Sequence, residues 1–315
     1  MRFCGIVKRV NGHAGLPSRQ AQGKLETMDR SQRATQCLVL TAAVLSASLA
    51  AAQTQQEKRF NCGPKPSISI SNTYGPVAVH PGPGNQVVVR YVLHSDKVEV
   101  DTNQGSEQNS DRISVESHLL QGSNQESGRV DYEVLVPSDS VVIIHSNNGL
   151  LSADHLTGDI SVDGEETPVE LRSISAGHLR VRTLSGNIVL ADFRQVHVDA
   201  KTIGGDITMK NVDGPVVEVS SSTGKIHYDG DFGGMGSYQI NNYAGEIDAS
   251  IPSTASVDVT ASSVKGQVDN DFPLLPKQHS SFIAEKGHSF TGFAGRAASS
   301  VFLHTFSGKI RLKLR

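Results

Sequence analysis

A zinc centre or a general-base site needs three or four imidazole, thiolate or carboxylate groups brought to one point. Past His13, the histidines of this chain are instead spread about one to an element: His80, His94, His118, His145, His155, His178, His197, His227, His279, His288 and His304. His178 and His197 lie 19 residues apart, a spacing that recurs elsewhere and would stack them as surface neighbours rather than gather them on a metal. Asp159, Asp163, Asp206, Asp213, Asp229 and Asp231 sit beside glycine-marked turns. A calcium roll would repeat Gly-Gly-x-Gly-x-Asp every nine residues, which is not found. Asp159 with Asp163, and Asp229 with Asp231, therefore read as side chains that close turns. Stacked carboxylates near Lys201 or Lys210 are the one arrangement that could cleave a polysaccharide, but no Trp and only six Tyr leave few platforms for sugar rings.

Other chemistry has no foothold. GxSxG, HExxH, CxxC, Walker and dinucleotide-binding motifs are missing, and the glycine-rich stretch 230–236 lacks the lysine and helix of a phosphate cradle. No catalytic, cofactor-binding or metal residue is assigned, no cofactor is expected, and the chain is read as a non-enzyme.

The elements that must hold these residues begin behind an address segment. Cys37–Leu49 is an uncharged run of 13 residues, too short for a membrane span of about 20. Arg30 and Arg33 precede it and Ala50-Ala51-Ala52 follow, which is the layout of a secretory signal with the mature chain starting at Gln53. Met28 opens a signal of ordinary length, so translation from Met28 is an alternative start. The first 52 residues hold seven of the 29 basic and two of the 32 acidic residues, so their loss takes the net charge from −3 to −8. An acidic exported chain is no nucleic-acid binder. It would meet a membrane only through its signal, and its location is extracytoplasmic. Cys62 is the one cysteine left, so no intrachain disulfide can form. Residues 53–66 are expected to be a flexible mature N-terminus.

From residue 67 to 315 the sequence is all strand. Short runs of period two, rich in Val and Ile, alternate with Gly, Asn, Asp and Ser, as at Gln86–Val92, Arg112–His118, Val130–Pro137 and Val141–His145. Gly122–Ser127 reads as a hairpin loop. Past residue 145 a tripeptide recurs: Gly158-Asp159-Ile160, Gly186-Asn187-Ile188, Gly205-Asp206-Ile207, Gly224-Lys225-Ile226, Gly245-Glu246-Ile247, Gly266-Gln267-Val268 and Gly308-Lys309-Ile310. The intervals are 28, 19, 19, 21, 21 and 42, with Gly177 dividing the first and Gly287 standing at the midpoint of the last. Inward parity changes across each glycine: Leu179 and Val181 precede Gly186, Ile188 and Leu190 follow. The glycine is expected to absorb that slip by positive φ or a bulge.

Two architectures fit. One is a parallel β-helix, a solenoid with rungs of about 20 residues; the other is an antiparallel meander or sandwich with hairpins at the glycines. The repeated strand, Thr/Ser-x-Ser-Gly-x-Ile, strand pattern resembles the bacterial putative-adhesin family of exported β-helical repeat proteins. Ile70–Val77, Tyr132–Pro137 and Thr305–Ile310 carry the same likeness, which covers residues 67–315. The resemblance implies an extracytoplasmic β-solenoid of unassigned function and transfers no catalytic residue. Six phenylalanines, Phe272, Phe282, Phe290, Phe293, Phe302 and Phe306, are expected to plug the open C-terminal end. The expected role is an adhesin-like binding or envelope scaffold for a surface, protein or glycan partner. The alternative is a carbohydrate-active enzyme or a polysaccharide binder.

Overall fold

The structure, a computed structural model, describes residues 54–105, 111–175, 177–233, 235–277 and 287–315. The expected leader over residues 1–52 lies outside the described residues. Among the described residues there are 25 strands and no helix. The chain opens with β1 (Thr54–Asn61), β2 (Ser67–Tyr74), β3 (Val77–Pro81), β4 (Gln86–Leu93), β5 (Val98–Gln104), β6 (Arg112–Leu119) and β7 (Val130–Val136). Regular winding follows in pairs: β8 (Val141–Asn148) with β9 (Leu151–Asp154), and β10 (Ile160–Glu166) with β11 (Val169–Arg172). Next come β12 (His178–Thr183) with β13 (Ile188–Phe193), and β14 (His197–Thr202) with β15 (Ile207–Val212). β16 (Val216–Ser221) pairs off with β17 (Ile226–Asp229), and β18 (Ser237–Asn242) with β19 (Ile247–Ile251). The last strands are β20 (Val257–Ser263), β21 (Val268–Asn270), β22 (Leu275–Pro276), β23 (Ser289–Phe293), β24 (Ser299–Thr305) and β25 (Ile310–Leu314).

Each pair gives one strand to a thirteen-strand sheet and the next to a twelve-strand sheet. Within each sheet successive turns pair in parallel, residue on residue: Val162 on Val181, Val181 on Ala200, Ala200 on Val219. That decides for the β-solenoid over the meander. The inward rows of Val, Ile and Leu from the two sheets form one continuous buried core from Ile68 to Leu312. Burial of such aliphatic rows is the main stabilising term, at about 25 cal/mol per Å².

Stacking order departs from chain order at both ends. β24 and β25 lie between β18–β19 and β20–β21, and β2 and β3 lie between β6–β7 and β8–β9. The 42-residue interval is thus no skipped turn at Gly287: the last turn slots in beside Gly245, and Gly266 becomes the outer one. Both sheets end in short or antiparallel strands, β1 on β4, β5 on β6 and β23 on β20, which blunts edges that would otherwise template further pairing.

Three expectations are corrected. Residues 54–61 are not a flexible lead-in: β1 pairs with β4 along its whole length. Gly122–Ser127 is no hairpin loop, because β6 and β7 belong to different sheets and the segment carries the chain from one to the other. The phenylalanines do not form a single plug. Phe272 is buried and Phe290 and Phe293 lie on β23, but Phe302 faces outward and Phe306 sits at a corner one turn inside the end. Phe282 lies outside the described residues.

Candidate binding edge

Two kinds of corner join the sheets. Where the chain passes from the thirteen-strand to the twelve-strand sheet after β12, β14, β16, β18, β24 and β20, four residues make the turn, with glycine third: Gly186, Gly205, Gly224, Gly245, Gly308 and Gly266 in stacking order. None of these six has positive φ. The reason for glycine is proximity instead. A Cβ on Gly205 would lie 1.9 Å from the Gly186 carbonyl oxygen, and one on Gly224 would lie 1.8 Å from that of Gly205. The expectation that a left-handed turn requires these glycines is therefore replaced by a backbone stack too tight for any side chain.

Beneath the glycines runs a buried polar row, three residues earlier in each turn. The Gly205 N–H donates to Thr202 Oγ1 (3.1 Å), and the Ser221 hydroxyl of the next turn donates to the Gly205 carbonyl (3.0 Å). Ser221 in turn accepts from Gly224 N–H (3.1 Å), Asn242 donates to the Gly224 carbonyl (2.7 Å), and Ser263 closes the series on Gly308 (2.8 Å). Thr202, Ser221, Asn242, Thr305 and Ser263 are all buried. Gly205, Gly224, Gly245 and Gly308 are each held from their own turn and from the next, so their buried backbone groups are not stranded.

The first residue of each corner points outward. In stacking order that row is Leu184, Ile203, Ser222, Tyr243, Phe306 and Val264. Leu184 (55%), Ile203 (54%), Tyr243 (62%) and Val264 (56%) are more than half exposed. Tyr243 and Phe306 stack with ring centroids 5.1 Å apart, and the Lys265 ammonium lies 4.8 Å from the Phe306 ring. This is a ladder of large apolar side chains along one edge, broken at Ser222. It was invisible in the linear sequence because its members are about 20 residues apart; aligning the turns on glycine and reading two positions back would have found it.

Flanking it, one residue after each glycine, is a second row whose charges alternate: Asp206, Lys225, Glu246 and Lys309. Lys225 binds Asp248 at 2.7 Å, and Arg311 reaches Glu246 at 3.0 Å. Burial would raise the Asp248 carboxyl, but Lys225 and Arg311 outweigh it and hold it below the usual carboxylate range.

The opposite corner is built differently. His155, Ser173, Asp192 and Asn211 take φ between 51° and 59° there, and Asn211 donates to Asp192 across turns (3.0 Å). Gly158 belongs to this corner, not to the line of the other six. Burial, and then the charge of Asp231, push the Asp213 carboxyl upward. Stretch 230–236 is a loop of this corner: the Phe232 ring stacks on Tyr228 at 3.9 Å, and its N–H donates to the Tyr228 hydroxyl (2.9 Å).

The remaining polar residues serve the winding. His178 and His197 are in register and stack at 5.3 Å, as the spacing predicts. Asp159 accepts the His178 N–H (2.8 Å) and Asp206 that of Lys225 (2.7 Å), bonds that join one turn to the next rather than closing a turn. Lys201 pairs with Asp199 at 2.7 Å, and Asp229 with Arg315 at 2.6 Å; the structure does not gather the aspartates round Lys201 or Lys210. Among the described residues no three His, Cys, Asp or Glu converge with metal-holding geometry. Cys62 is free and packs against the core, and burial raises its thiol. An open groove of about 600 Å³ lies between Tyr74, Pro76, Gln125, Arg129, Asn148 and Leu150.

Residues 66–313 match a known family model, Toastrack DUF4097. The chain belongs to the Toastrack family. The bacterial adhesin-like likeness carried by the repeat is thereby placed in a domain family of unknown function. The Toastrack chain is similar to solved structures of a putative adhesin from Parabacteroides distasonis (13% identity, 84% of this chain and 98% of that one, TM-score 0.47) and another from Bacteroides fragilis (12% identity, 83% and 98%, TM-score 0.45). A comparison with curated proteins returns no match.

Proposed function

We propose that this Toastrack chain is an exported, non-catalytic scaffold of the bacterial envelope that binds an external partner through its exposed edge. The observation that carries this reading is the apolar row from Leu184 to Val264, set beside charges such as Lys225 and Glu246 that are paired within the chain. Exposed apolar residues gathered along one edge mark interaction surfaces more often than scattered ones do. The leader-like segment ending at Ala52 supports export, and the −8 charge of the remaining chain supports solubility outside the cytoplasm. Mass determination of the protein recovered from cells tests export: a chain beginning at Gln53 is expected, and an intact leader on a cytoplasmic product would overturn it. Binding of the labelled protein to bacterial surfaces and to protein and glycan arrays tests the rest. Tyr243→Ser should weaken the strongest signal at least about tenfold, as a central aromatic anchor does; no change would remove the edge from the account.

A polysaccharide-cleaving reading has one observation in its favour, the Asp213 carboxyl raised beside Asp231. A general acid next to a second carboxylate is what glycoside hydrolysis uses. Depolymerisation of acidic or neutral polysaccharide that is abolished by Asp213→Asn would establish it.

A further inference from the structure

The edge has a property that its individual residues do not reveal: it is complementary to itself. Two copies can face each other across it in two symmetric ways. A two-fold axis parallel to the stack lays the apolar row on the charged row. A two-fold axis across the edge lays apolar on apolar and charged on charged, with the order of turns reversed. Under that reversal Tyr243 stands opposite Ser222, the one small residue of the row, and Ser222 opposite Tyr243. Ile203 meets Phe306, and Leu184 meets Val264. In the charged row Lys225 meets Glu246 and Asp206 meets Lys309, so every facing pair is of opposite sign. Asn187 and Gln267 face each other at the ends. The parallel alignment instead sets each charge against the apolar row, with no partner of opposite sign.

We infer that the edge is an isologous interface on which a second copy of this chain docks antiparallel, Tyr243 of each copy filling the gap left by Ser222 of the other. The inference rests on the reading of this edge as the working surface and names its occupant. Lys225, Glu246 and Lys309 keep their partners within the chain, Asp248, Arg311 and Asp269, and gain a second across the axis. Six turns at about 4.8 Å each make an edge near 30 Å long and one corner wide. That is narrower than the about 800 Å² per partner of a stable dimer, so the association is weak and concentration-dependent.

Sedimentation equilibrium of the purified protein over a wide concentration range tests this, with circular dichroism to verify folding. The wild type should fit a monomer–dimer equilibrium with no larger species. Ser222→Tyr fills the gap with a side chain that the same position already carries at Tyr243, so the fold tolerates it; dimer dissociation should rise at least about tenfold. Asp206→Lys should have a similar effect by facing Lys309 with its own sign, and the double variant Asp206→Lys/Lys309→Asp should restore the dimer. Monomer at every concentration, open-ended polymers, unchanged association of Ser222→Tyr, or failure of the charge exchange to rescue would each overturn the inference. A monomer that still binds bacterial surfaces would leave the binding role standing and remove only the second copy.

Discussion

At the glycine corner four residues separate the strands in each turn from 184–187 to 306–309, whereas at the opposite corner the count runs from three at 194–196 to seven at 230–236. The first is fixed by contact: backbone lies on backbone, leaving no room for a Cβ, and a buried hydroxyl or amide pins each glycine from both sides. The second adds conformation to contact: Gly177, Gly214 and Gly236 also lie against backbone carbonyls, but residues such as Asn211 enter the left-handed region with their side chains outside, and loop length is free. The 19- and 21-residue intervals record insertions at the second corner only. A corner of constant length forces uniform geometry on everything it carries, which is why the exposed side chains of that edge line up in rows. A corner of varying length carries no such row.

The contrast breaks most sharply at Gly205. Gly205→Ala drives a methyl group into the Gly186 carbonyl and should cost about 3–5 kcal/mol, the range of severe core disruption, in urea unfolding. Thr202→Val keeps the shape but strands the buried Gly205 N–H, and a loss of about 1–3 kcal/mol is expected in the same measurement.

Acid titration sharpens the comparison from another side. Asp248, next to the glycine corner, has a lowered folded pKa. It stabilises the protein fully above the ordinary carboxylate value, and that contribution is lost as pH falls through the lowered one. Asp213, at the opposite corner, has a raised pKa, so it destabilises at neutral pH and the penalty is relieved as pH falls through the raised value. Thermal melts at pH 7 should therefore move in opposite directions, down for Asp248→Asn by about 1–2 kcal/mol equivalent and slightly up for Asp213→Asn. The smallest effect belongs to Asn211→Gly, which relieves a left-handed residue and removes one exposed hydrogen bond; it should stay within about 1 kcal/mol of wild type.

The winding was legible because contact leaves a mark: only glycine fits under Gly186 or Gly205, so the repeat shows in the chain. His178 on His197 followed from the same arithmetic. The conformational corner was not legible, since His155, Ser173, Asp192 and Asn211 are ordinary polar residues with no shared identity. Nor was the return of β24 and β25 between β18–β19 and β20–β21, because Gly266 and Gly308 carry the same local signal and only long-range pairing decides which is outermost. The edge row was hidden by its spacing, and the misassigned plug at Phe302 and Phe306 followed from the same long-range exchange.

Amide hydrogen exchange at the glycine corners tests the contact account most directly. The amides of Gly205 and Gly224, though in turns, donate to buried hydroxyls and should exchange as slowly as those of the neighbouring strands. Exchange at the rate of open surface loops would mean that these corners are held by turn conformation after all, and the account of the edge would fail with it.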